Sequence, residues 1–221
     1  SWSKPNCAPG KESIPASTTT AYFFSVSRVR RDISDTSYWT LWPTDRTPSG
    51  ILDAGPDSPL AVGVTFRANS SGFITGIRFY KTPTNTGTHT GSLWTSAGVR
   101  LASATFTNES ASGWQQAFFA KPVPISADTV YVSSYHTTVG HYSIDKQFFA
   151  GNSFNSGPLN APGTTASGSN GVFGYGTSTV FPNNSFNATN YWVDVLFTTT
   201  APPPPALSSI SVSPTGQTIV T

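Results

Sequence analysis

An all-β fold, an antiparallel sandwich of the jelly-roll kind, is what this sequence predicts. Three observations carry it. Apolar residues recur with period two in short runs. The runs are separated by Gly, Asn and Ser turn signals such as "NSSG", "TNTG", "SASG" and "TTVG". No helical stripe of period 3.6 extends beyond a turn.

Taken in order, the elements begin with an N-terminal arm over 1–38, rich in Ser and Thr, with one expected strand in "AYFFSV" (21–26). The sandwich is expected over 39–198. "LAVGVTF" (60–66) places Leu60, Val62, Val64 and Phe66 on one face, and "FITGIRFY" (73–80) does the same for Phe73, Thr75, Ile77 and Phe79. "VRLASATF" (99–106), "WQQAFFA" (114–120), "TVYVSSYH" (129–136) and "YWVDVLF" (191–197) follow as further strands. The Gly- and Asn-rich stretch 150–190 reads as a long loop, and loops of that length in a compact domain generally serve a site. "APPPPA" closes a stiff linker over 199–206. The tail 207–221 holds one strand and a turn, too little to fold alone. It is either the start of an Ig-like domain or a strand donated to the sheet edge of another subunit.

Composition bounds the function. Charged residues are 10% of the 221, against roughly 25% in ordinary soluble domains, while aromatics reach 13%. Few charges, many hydroxyls and many rings fit an extracellular β-protein kept soluble by neutral polar groups. The formal net charge of +2 argues against phosphate-driven binding, so no nucleic acid partner is expected; the basic run "RVRR" (28–31) reads as an outward strand face or a protease-sensitive site. No run of 18 apolar residues is present, so no membrane span is expected. Cys7 is the single cysteine, which leaves no internal disulfide and either a free thiol or an intermolecular partner. Methionine is absent even at position 1, as expected of a processed chain or a piece of a longer one with any secretion signal removed. Asn69, Asn108, Asn183 and Asn187 open N-x-S/T sequons, glycosylation sites in a host with that machinery.

Histidines frame the first candidate site. "SSYHTTVGHYSID" (133–145) reads as a hairpin turned by "TTVG", which would make His136 and His141 cross-strand neighbours about 4.5–5.5 Å apart at Cβ, with Tyr135 and Tyr142 paired on the other face. Two imidazoles so placed could share a transition metal with His89 as third ligand, giving a metalloenzyme. The competing reading is histidines that are structural or touch a ligand. Alternation puts His136 on the face of Val130 and Val132, the expected core. A calcium site is the second candidate: Asp53 and Asp57 share the loop "DAGPDS", and Asp194 lies on the last strand. The same loop carboxylates also suit Asx turns. Other catalysis finds little support. G-x-S-x-G and H-E-x-x-H are absent, and the only glutamates are Glu12 and Glu109.

Aromatics give the leading candidate. Trp39, Trp42, Trp94, Trp114 and Trp192 all lie in the sandwich region. A core accepts only some of them, so the rest, with Tyr131, Tyr135, Tyr142 and Tyr175, are expected to be partly exposed. Flat rings stack on the C–H faces of sugars while amides and hydroxyls bond the sugar hydroxyls. The expected surface comprises Trp94, Tyr135, His136, His141, Tyr142 and Tyr175. The expected function is a non-catalytic module that binds a polysaccharide, a glycoconjugate or extracellular matrix. The alternative is a subunit of a homopolymer joined through the tail strand.

From Trp39 to Phe197 the segments "SPLAVGVTFRANSSGFITGIRFYK", "NTGTHTGSLWTSAGVRLASATF", "SGWQQAFF", "YVSSYH", "GHYSID" and "NYWVDVLF", in this order, resemble the bacterial DUF4082 family. The tail "LSSISVSPTGQTIV" resembles the start of a bacterial Ig-like repeat. The resemblance implies a β-sandwich in a secreted, multi-modular surface protein. It implies no activity.

Overall fold

The computed structural model describes residues 38–165 and 169–201. Cys7, the 21–26 strand, the 28–31 basic run, most of the polyproline linker and the 207–221 tail lie outside the described residues.

Eleven strands and no helix make up the described chain. The larger sheet contains β1 (Leu60–Ala68), β3 (Thr90–Thr95), β4 (Arg100–Thr105), β6 (Tyr131–Thr137), β9 (Val172–Tyr175) and β10 (Asn184–Ser185), in the order β10-β9-β1-β6-β3-β4. The short hairpin of β7 (Phe154–Ser156) and β8 (Leu159–Ala161) joins it at the end of β1. The smaller sheet has the order β11-β2-β5, from β2 (Gly72–Lys81), β5 (Gly113–Ile125) and β11 (Val193–Thr198). Every pairing between strands is antiparallel. β1, β2 and β3 pass from one sheet to the other and back, so the chain winds around a two-layer core.

That core is built by alternation. On β1, Leu60, Val62, Val64 and Phe66 all point inward, as their spacing predicts. On β2 a register shift between Ile74 and Gly76 breaks strict period two, so Ile74 joins Ile77 and Phe79 in the core while Phe73 is only half-buried. Between the sheets Phe79 stacks on Tyr135 with ring centroids 3.9 Å apart and planes 19° from parallel. A large ring buried in this way contributes roughly 1.5–3 kcal/mol.

Three expectations are corrected here. β6 runs between β1 and β3, with His136 opposite Ala61 on one side and Thr90 on the other, so it forms no hairpin with the residues after "TTVG". Its core face carries Tyr131 and Tyr135, not Val132 and His136. The pattern misleads because both faces of β6 are covered. Val132 packs outside the sheet with Trp94, Val172 and Phe181. The stretch 150–190 is also more than a loop: it supplies β7 to β10, which extend the larger sheet, and Phe181, which packs against Trp94 on its outer face.

Candidate ligand cleft

The chain after β6 turns back along the loop before β1. Asp57 N donates to the Gly140 carbonyl at 2.9 Å, Ala54 N to Tyr142 at 2.8 Å, and Ile51 N to Ile144 at 2.8 Å. On its other side Asp145 exchanges backbone hydrogen bonds with Asn190, at 3.0 and 2.9 Å. The Asp145 carboxylate accepts from Ser49 and Gly50 amides and from Ser49 Oγ, and so pins the incoming loop. Three irregular segments, 49–57, 140–146 and 186–191, thus lie side by side next to β9.

They form a two-lobed cleft. One lobe, of about 380 Å³, is walled by Ile51, Asp53, Tyr142, Lys146, Phe186 and Tyr191. The other, of about 270 Å³, is walled by Asp57, Tyr142, Phe173, Tyr175, Phe186 and Tyr191. Tyr142, Phe186 and Tyr191 belong to both. Phe186 and Tyr175 are 52% and 54% exposed, unusual for rings this large and open to contact with a ligand.

Hydrogen bonds order the polar groups. Asp57 Oδ2 accepts from the hydroxyls of Tyr175 at 2.7 Å and Tyr142 at 3.2 Å, while its Oδ1 accepts from Ser58 N at 2.8 Å. Burial raises the pKa of Tyr142, with the Asp57 charge adding to it; burial raises Tyr191 too. The bond to Asp57 is the main cause of the rise at Tyr175. All three phenols therefore stay protonated, and those of Tyr142 and Tyr175 donate to Asp57. His141 Nδ1 lies 2.8 Å from Asp53 Oδ1, and Thr84 Oγ1 donates to Asp53 Oδ2. Partial burial pushes the Asp53 carboxyl up, but the bonds from Thr84, His141 and Gly55 outweigh it and leave the pKa below its ordinary value.

Residues 45–193 match the model of a family described as a domain of unknown function (DUF4082). The chain belongs to this family. Every residue named in the cleft falls inside the DUF4082 match, as do β1 to β10. No curated protein matches the chain.

Of the residues expected at a ligand surface, Tyr142 and Tyr175 line this cleft, while His141 is linked to it only through its bond to Asp53; Asp53 and Asp57 line it too. The others do not. Tyr135 is fully buried and receives a hydrogen bond from Asn85 Nδ2. Trp94 is 5% exposed, with its Nε1 donating to Ser134 Oγ at 2.8 Å. His136 is buried and its Nε2 donates to the Gly176 carbonyl at 2.8 Å.

The metal sets are not assembled. His89 is sealed in the core, with Nδ1 2.9 Å from the Glu109 carboxylate and Nε2 2.9 Å from Asn85 Oδ1. His89, His136 and His141 thus have three separate sets of partners. Asp194 is fully buried against Arg78, apart from the loop of Asp53 and Asp57. Among the described residues no group of three or more His, Cys, Asp or Glu side chains is placed to hold a metal ion. The four sequon residues Asn69, Asn108, Asn183 and Asn187 are all exposed. Among the described residues no helix is long and apolar enough to cross a membrane.

Sequence reasoning missed Phe186, Tyr191, Phe173 and Lys146. For Phe186 a signal was present: a lone ring in the polar run "NNSFNATN" has no alternating partner and so no evident core face.

Proposed function

We propose that the protein is a non-catalytic glycan-binding module of a secreted or cell-surface protein, and that its site is the two-lobed cleft. One observation carries the reading. Tyr142 and Tyr175 converge on Asp57 beside the exposed Phe186, so ring faces and ordered hydrogen-bonding groups meet in a single groove. Rings bind the apolar face of a pyranose, and the carboxylates and phenols bind its hydroxyls. The sparse charge of the chain supports an extracellular setting. The resemblance to bacterial surface modules supports it too.

The test is a glycan array probed with the intact chain and with Tyr175→Ala and Phe186→Ala. Retention on at least one polysaccharide, weakened about tenfold or more in each variant, is expected, since losing one good contact is worth on the order of 1.4 kcal/mol. A blank array, or variants that bind undiminished, defeats the reading.

A second reading, a subunit polymerising by donation of strand 207–221, is favoured by β4. This six-residue strand ends the larger sheet, and Val99 and Leu101 beside its open edge are 60% and 38% exposed. Deletion of 207–221 would abolish assembly on this reading; persistence of assembly by size-exclusion chromatography would exclude it.

A further inference from the structure

The two lobes of the cleft differ in charge. One carries both signs, Asp53 and Lys146. The other carries the rings of Tyr142, Phe173, Tyr175, Phe186 and Tyr191, the carboxylate of Asp57, and no basic side chain. A neutral sugar would use the rings, and Asp57 only as an acceptor for its hydroxyls, leaving the charge without a partner. An acidic sugar would meet Asp57 with no cation to offset it. An alkylammonium group gains from both features: ring faces attract a cation, and a carboxylate forms a charge-assisted hydrogen bond with it.

Asp57 is prepared for such a bond. An ionised carboxylate offers about four acceptor positions. Ser58 N, the Tyr142 hydroxyl and the Tyr175 hydroxyl fill three of them and lock the orientation of the group. By this count one position is left for a donor from the ligand. A lone quaternary ammonium would occupy one lobe only. The second lobe, sharing three rings with the first and holding both a donor and an acceptor, fits the next sugar of a chain.

We infer that the Asp57 lobe takes the protonated amino group of a 2-amino sugar within a glycan, with the adjoining residue held between Asp53 and Lys146. This rests on the glycan reading and names its substrate class. The overall net charge of +2 opposes non-specific attraction of a polycation, so affinity for one must come from a local site.

Titration calorimetry of the intact chain at about pH 6, where aliphatic amines are charged, decides it. The probes are a glucosamine hexamer, the fully N-acetylated hexamer and choline chloride. The expected result is binding of the glucosamine hexamer about tenfold tighter than its acetylated counterpart, in keeping with a desolvated cation–π contact plus a charged hydrogen bond. Asp57→Asn, checked for folding by its melting temperature, removes that preference, and Tyr175→Ala weakens both oligomers. Equal or tighter binding of the acetylated hexamer overturns the inference and leaves the glycan reading standing. So does a preference that survives in Asp57→Asn. Binding of choline alone overturns it as well. Binding of neither hexamer, together with a blank glycan array, removes both.

Discussion

Asp194 on β11 and Arg78 on β2 form a salt bridge of 2.8 Å in which the two side chains are 0% and 4% exposed. They sit directly opposite in the register of the smaller sheet. The Asp194 carboxylate also accepts from Leu41 N at 2.7 Å and Trp42 N at 3.1 Å, and Arg78 donates to the Trp42 carbonyl. The Arg78 guanidinium lies 4.3 Å from the centre of the Trp114 ring. Burial pushes the Asp194 carboxyl up, while Arg78 and the two amides pull it down. The pair thus ties the segment around Trp42 to the sheet, a structural task that accounts for a carboxylate in an apolar strand.

Asp194→Ala would leave Arg78 charged, buried and unpaired, and take away the carboxylate that the amides of Leu41, Trp42 and Val195 donate to. A loss of about 3–5 kcal/mol is expected. Urea unfolding monitored by tryptophan fluorescence measures it; a loss under about 1 kcal/mol would show that Arg78 reaches water or another partner in the variant.

Gly140 holds the turn that brings Tyr142 to the cleft. Its φ is +65°, and an added Cβ would lie 1.9 Å from the Asp57 carbonyl oxygen. Gly140→Ala therefore separates the 140–144 segment from the Asp57 loop. The expected outcome is a cost of at least about 1–3 kcal/mol, the scale of a strained backbone position, together with lost ligand retention. An unchanged melting temperature would contradict this.

Tyr135 and Tyr175 were alike as sequence candidates and differ in the fold. Tyr135 is sealed between Phe79 and Asn85, so Tyr135→Ala should cost about 3–5 kcal/mol in the manner of other large-to-small core changes. Tyr175 is more than half exposed, and Tyr175→Ala should stay within about 1 kcal/mol of the parent while losing ligand. Thermal denaturation of the two variants side by side separates the roles, and equal costs would refute the assignment.

His89 makes stability depend on pH. Burial is the largest influence and holds its pKa below the ordinary 6.5, against the pull of the Glu109 carboxylate; Lys81 and His136 act in the same direction as burial. The unfolded chain then takes up a proton near pH 6.5 that the folded ring resists. Stability present above that pH should fall as pH drops towards the depressed value of the folded state. Melting temperatures recorded between about pH 7 and pH 5 should decline less steeply in His89→Gln than in the parent. Parallel curves would assign the slope to another group.

Much of this was legible in the chain, and its limits are physical. β1 reads correctly because its large apolar side chains, Leu60, Val62, Val64 and Phe66, share one face, while the small or polar Ala61, Gly63, Thr65 and Arg67 take the other. β6 does not, because Val132 and Tyr135 are both buried on opposite faces and alternation carries no contrast there. Tyr142 and Tyr175 are legible as candidates for a ligand surface, whereas Asp53 and Asp57 suggest a calcium loop and instead line the same cleft. Period-two spacing is local. The contacts between Asp57 and Tyr175, or Asp53 and His141, span 118 and 88 residues.

The sequence by itself determined an all-β sandwich, since short alternating runs between turn residues can bury their apolar faces only by stacking two sheets. It also determined that neutral polar groups would outnumber charged ones, since charged residues are 10% of the chain. Only the tertiary structure decided which rings face solvent. Tyr135 and Trp94 went inside because strands and the 150–190 segment cover both faces of the larger sheet. Tyr142, Tyr175, Phe186 and Tyr191 came together because hydrogen bonds between distant irregular segments, invisible to any local pattern, set the loops side by side.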